Sequence, residues 1–85
     1  MRPRSAPISR RLLGTVLREF RERRGLSQEA LGFKARLHRN YVGGVERGER
    51  NLGLLNASAL ARALGIELSV LMKEAEGRIK RPAAN

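Results

Sequence analysis

The 85-residue sequence has no cysteine. That absence removes any disulfide framework, thiolate metal site or thiol nucleophile, and it fits a reducing compartment. Tryptophan is also missing, and the aromatic set is Phe20, Phe33 and Tyr41. Three scattered rings make no stacking platform for single-stranded nucleic acid, and no Gly-x-x-Gly loop is present, which argues against an RNA-binding module. A single histidine, His38, without a cysteine beside it gives no metal site. No nucleophile elbow, phosphate-binding glycine loop or cluster of carboxylates occurs, so neither an enzyme nor a cofactor is expected. No apolar run approaches a membrane span, and Leu12-Leu13 is too short for the core of a signal peptide. Eighty-five residues make one domain whose core is too small to enclose a large substrate cavity. A soluble, cytoplasmic protein is expected.

Charge is what the chain has in excess. Eighteen Lys and Arg stand against eight Asp and Glu, a net charge of +10. Such an excess predicts affinity for a polyanion through phosphate neutralisation and counterion release. No segment joins a broad apolar face to a uniformly basic one, so nucleic acid is the expected partner and a membrane is not.

The chain is organised around residues 27–48. Ser27 stands where an N-cap belongs, and Ala30, Leu31 and Ala35 line one face of a short helix opening at Gln28. After a break at Leu37, Tyr41, Val42 and Val45 give the apolar stripe of a second short helix, stopped by Gly48. Two such short helices joined by a tight turn cross steeply, which is the geometry of a helix-turn-helix. In that geometry the N-terminal turn of the second helix enters the major groove. His38 at the cap, Arg39 and Asn40 are therefore the candidate base readers: Arg can meet guanine O6 and N7, and Asn adenine N6 and N7.

The segment resembles the helix-turn-helix of the Cro-type, lambdoid-repressor-like (XRE) family. Leu26-Ser27-Gln28-Glu29-Ala30-Leu31-Gly32 matches the family's "LSQEELA" entry, and Glu46-Arg47-Gly48 its "ErG" exit. The motif's apolar positions fall on Leu31, Ala35, Leu37, Val42 and Val45, and its small residue on Gly32. The likeness runs from about Leu13 to Leu71. One departure is Arg36, where the family usually has Gly; a non-Gly residue there implies a turn strained by about 1 kcal/mol.

The resemblance implies an all-α, compact five-helix, lambda-repressor-like DNA-binding domain with the helix-turn-helix at helices 2 and 3. It also implies a structural ion pair between Arg21 and Glu46. Contacts to the DNA backbone fall to Gln28 and to the loop residues Arg47, Arg50 and Asn51, with Tyr41 at the edge of the core and able to meet a phosphate. Where relatives place further side chains toward DNA, this chain has Gly43-Gly44. Two adjacent glycines cost roughly 0.8–1.0 kcal/mol each in a helix interior, so they need a cause. The expected cause is a bare backbone that lets the helix sit deep in the groove or makes room for a base methyl.

Around the motif, Ser9 caps a first helix running to about Arg24, with Leu12, Leu13, Val16, Leu17 and Phe20 toward the core. A fourth helix spans 54–64, with Leu54, Ala57, Leu60, Ala61 and Leu64 as its stripe, and a fifth spans about 67–75. Apolar residues in the last helix exceed what the core needs, which points to Leu68, Leu71 and Met72 as a homodimer interface. Residues 1–8 read as a disordered basic arm, 9–75 as the domain and 76–85 as a flexible polar tail. Arg2 and Arg4 of the arm are either solvated or able to enter a minor groove.

The leading expectation is a sequence-specific regulator of transcription on double-stranded DNA, a repressor or autoregulator acting as a dimer on a two-fold operator. Without a ligand-sensing domain in these residues, its control would come from concentration, site arrangement or a protein partner such as a toxin or polymerase. The alternative is a protein–protein adaptor such as an antitoxin, or a restriction–modification controller.

Overall fold

The computed structural model describes residues 6–80, with the side chain of Lys80 excepted. Five helices make up the fold: α1 (Arg10–Arg23), α2 (Gln28–Ala35), α3 (Arg39–Glu46), α4 (Leu54–Ala63) and α5 (Leu68–Lys80). No strand occurs among the described residues. The fold is all-α, as the sequence implied.

The helix starts follow capping chemistry. Ser9 Oγ accepts from the backbone N–H of Leu12 at 3.0 Å, and Ser27 Oγ from that of Ala30 at 2.9 Å, each satisfying a donor the helix itself cannot. Gly25, Gly48 and Gly65 turn the chain past the ends of α1, α3 and α4 with positive φ. Arg36 does the same after α2 at φ 61°, where glycine would be unstrained.

Leu17, Leu31, Val42, Val45, Leu60 and Leu64 form the central core, drawn from all of the first four helices. A second cluster of Val16, Leu71 and Ala75 joins α5 to the far side of α1. The approach of α1 to the end of α3 is close enough that a Cβ on Gly14 would collide with the carbonyl oxygens of Val45 and Glu46. Gly32 likewise leaves room for the Leu37 carbonyl in the turn. Both contacts hold α3 against the scaffold by backbone proximity.

Three expectations need correction. Leu71 is fully buried and closes the protomer's own core, so it offers no surface to a second copy. Leu68 and Met72 are half-buried, with Leu68 packed on the second cluster. Leu54 is not part of the inward stripe of α4 but is 69 % exposed. Finally, residues 76–80 are the last turns of α5 and not a tail. Leu71, Ala75 and Ile79 share one face at helical spacing, and Arg78 fastens that end by hydrogen bonds to Glu74 (2.9 Å) and to Glu19 of α1. At the other terminus Ile8 packs on the second cluster, so ordered contacts begin before the first helix. Arg2, Arg4 and residues 81–85 lie outside the described residues.

Candidate nucleic-acid interface

The site is the first turn of α3 together with the loop after it. His38 caps the helix: its Nδ1 accepts from the Asn40 backbone N–H at 2.9 Å. His38, Arg39 and Asn40 are all exposed, while Val42, Val45 and Glu46 behind them are buried. The helix is thus gripped along its rear and presents its N-terminal turn outward.

Beside the apolar contacts of Val42 and Val45, the grip has a polar part. Glu46, the one buried charged side chain among the described residues, receives Arg21 Nε at 2.6 Å and Arg21 Nη2 at 3.0 Å. Arg21 Nη1 also donates to the Leu26 carbonyl at 2.8 Å. Hydrogen bonding to Glu46 pushes the guanidinium further toward its charged form, outweighing the cost of burial. The carboxylate is satisfied at both oxygens, as a buried charge requires.

Gln28 belongs to the same cluster. Its Nε2 donates to Glu46 Oε1 at 3.0 Å, so its amide is turned inward between α2 and α3. The sequence does not reveal this, because a polar residue opening a helix looks the same whether it faces solvent or a buried carboxylate.

The glycine pair stands otherwise than expected. Gly43 and Gly44 are both buried, and neither offers bare backbone to a base. A Cβ on Gly43 would lie 3.0 Å from Arg47 Nη1 and 3.1 Å from Gln28 Oε1; one on Gly44 would lie 2.6 Å from Arg50 Cγ. The glycines make room for side chains of this chain.

Tyr41 also needs correction. Its hydroxyl donates to the Asn51 carbonyl at 2.8 Å and accepts from Asn56 Nδ2 at 3.1 Å, so its one proton is spent on the loop and not available to a phosphate. Its role here is to pin the loop that carries Arg47, Arg50 and Asn51, all exposed.

Two acidic neighbours were missed. Glu29 of α2 stands 3.6 Å from Arg39, and Glu49 stands 3.1 Å from Arg47, both pairs well exposed. Each holds an arginine of the outward face at little energetic cost to its release. Their spacing in sequence gives no hint, since the first pair spans the turn. Among the described residues no group of three or more His, Cys, Asp or Glu is placed to hold a metal ion.

A capped, exposed first turn on a helix clamped from behind, packed against the helix that precedes it across a short turn, defines a helix-turn-helix regulator of transcription. A family model described as helix-turn-helix matches residues 17–71, and the chain belongs to that family, in its XRE-type branch. Among its relatives is the control protein C.BamHI of Bacillus amyloliquefaciens, 41% identical over 59 residues, or 68% of this chain and 73% of that one. The immunity repressor protein of Bacillus phage phi105 is 37% identical over 62 residues, covering 73% of this chain and 43% of its own. Of solved structures, the restriction-modification controller protein C.AhdI from Aeromonas hydrophila aligns with a TM-score of 0.72 at 53% identity, over 73% of this chain and 94% of that. The clp gene regulator ClgR from C. glutamicum aligns at 0.80 with 27% identity, over 91% and 100%.

Proposed function

We propose that this protein binds a two-fold operator in duplex DNA as a homodimer and thereby controls transcription. The observation that carries the reading is the outward first turn of α3, whose exposed His38, Arg39 and Asn40 are backed by the buried Arg21–Glu46 pair. Arg39 and Asn40 read base edges in the major groove, and His38 stands beside them at the cap. Arg47, Arg50 and Asn51 set the register on the phosphates, which carry no code of their own. Gln28 takes its place at a phosphate only by turning away from Glu46. The protein works in the cytoplasm; among the described residues no single helix is long and apolar enough to cross a membrane.

Two protomers related by a two-fold axis put their recognition helices about 34 Å apart, one turn of B-DNA. Val70, 43% exposed on α5, supplies an apolar contact of the dimer surface. The identity to C.AhdI and C.BamHI supports a controller's role in a restriction–modification system.

The test is selection of bound duplexes from a random pool. Symmetric sites with half-sites about one helical turn apart are expected, each holding two protomers. A pool without enrichment sinks the regulator reading.

A further inference from the structure

The paired glycines of α3 are costly to the helix, and the structure shows what occupies the space they leave. The carbonyl of Gly44 accepts two backbone hydrogen bonds from the loop, from Glu49 N–H at 2.8 Å and from Arg50 N–H at 3.2 Å. The methylene stem of Arg50 then lies back across Gly44: a Cβ there would stand 2.6 Å from Arg50 Cγ, 3.6 Å from its Cβ and 3.7 Å from its Cδ. Beyond the stem, the guanidinium carbon sits 5.2 Å from the centroid of the Tyr41 ring, within cation–π range. That ring is fixed in turn by its hydroxyl's bonds to Asn51 and Asn56.

We propose that Gly44 is a positioning residue for Arg50: the missing side chain is a seat that, with the Tyr41 ring, holds the Arg50 guanidinium at a fixed place beside the recognition helix for contact with the DNA strand. The inference rests on the DNA-binding reading above and adds to it the origin of Arg50's orientation. Arginine is rich in rotamers, and ordering one at an interface normally opposes binding. Seated in the free protein, Arg50 meets the strand with that ordering already done. Any larger residue at 44 puts an atom 2.6 Å from Cγ, closer than two carbons can stand, so the Arg50 stem must shift. Cγ is near the base of the side chain, so Arg50 yields only by swinging its whole stem off Gly44 and its head off the ring.

The effect on stability has the opposite sign. Alanine is the better helix former, so Gly44→Ala strengthens α3 itself once Arg50 has moved. A loss of binding without a loss of stability is therefore the signature of the seat.

The experiment compares wild type, Gly44→Ala, Arg50→Ala and the double variant by titration on a pool-selected duplex, by thermal melting, and by proton NMR of the free proteins. Each single variant is expected to bind about tenfold more weakly, the worth of one charge-assisted contact. The double variant should be no weaker than Arg50→Ala, because the two changes remove one contact. The melting temperature of Gly44→Ala should be unchanged or raised. The Arg50 side-chain resonances, shifted upfield by the Tyr41 ring in wild type, should return to ordinary positions in Gly44→Ala. Wild-type affinity in Gly44→Ala, or a tenfold loss that persists on top of Arg50→Ala, overturns the proposal. Should wild type bind no duplex, the DNA-binding reading falls by itself; loss of the ring shift in Gly44→Ala would still uphold the seat, and its persistence would overturn it.

Discussion

Arg21 meets Glu46 at two points, Nε on Oε2 at 2.6 Å and Nη2 on Oε1 at 3.0 Å, joining the last turn of α1 to the end of α3. The Glu46 side chain is 2% exposed and that of Arg21 12%. Removing either partner strands the other in the interior. Glu46→Ala is expected to destabilise the fold by about 3–5 kcal/mol, read from denaturant or thermal unfolding. An unchanged melting temperature would show that the pair holds nothing.

The outward residues divide by what they touch on DNA. Arg39→Ala or Asn40→Ala should narrow the gap between operator and random duplex by about 1–3 kcal/mol. Arg50→Ala should weaken both alike and flatten the dependence on salt, since it removes a phosphate contact. Identical behaviour of the two kinds of variant would mean that the base readers lie elsewhere.

Arg36 ends α2 in the left-handed region at φ 61°. A side chain there costs about 1 kcal/mol, part of which glycine recovers. Arg36→Gly should raise stability by up to about 1 kcal/mol, as measured by chemical denaturation. A clear loss would show that the Arg36 side chain holds the turn in some other way.

Glu19 ties α5 to α1 through Arg78, and that hydrogen bond is the main reason its carboxyl sits below the ordinary glutamate value of 4.5. The charges of Arg78, Arg23 and Arg18 act in the same direction, against desolvation. Because the folded state favours the ionised form, the stabilisation is complete above the unfolded glutamate range and fades as pH falls through the lower folded value. Arg78 stays charged throughout. The protection of amides in the last turns of α5, taken relative to the intrinsic exchange rate at each pH, should therefore fall between about pH 5 and pH 3 more in wild type than in Glu19→Gln. Equal acid sensitivity in the two would remove Glu19 as the cause.

Leu71→Ala should lower stability by about 2–5 kcal/mol, because the residue is fully buried within its own protomer. Val70→Ser should leave stability nearly unaltered and shift the monomer–dimer balance, read by sedimentation. Dimers that survive Val70→Ser unchanged would place the contact on another face.

The boundaries of the helices were legible because their signals are local: Ser9 and Ser27 cap, and Gly25, Gly48 and Gly65 stop. The Arg21–Glu46 pair was legible only by resemblance, since nothing within either helix announces a partner 25 residues away. The end of α5 is hidden in the sequence because Glu76, Gly77 and Arg78 look like a polar exit, whereas Ile79 continues the stripe of Leu71 and Ala75. An excess of apolar residues in α5 does not say which of them the core takes, so the sequence alone does not separate Leu71 from an interface. The glycine pair was visible as an anomaly, but its cause was not. At Gly44 that cause is the stem of Arg50, brought back over α3 only after the chain reverses at Gly48, and at Gly43 it is the Arg47 and Gln28 side chains.

The carboxylate of Glu46 also decides how far this motif can travel. Transplanted alone into a foreign scaffold, residues 28–46 would bring an acid into the interior without the Arg21 fork that answers it from α1. The first turn of α3 tolerates rewriting, because its side chains stand in water. The segment that aims it is inseparable from the helix upstream.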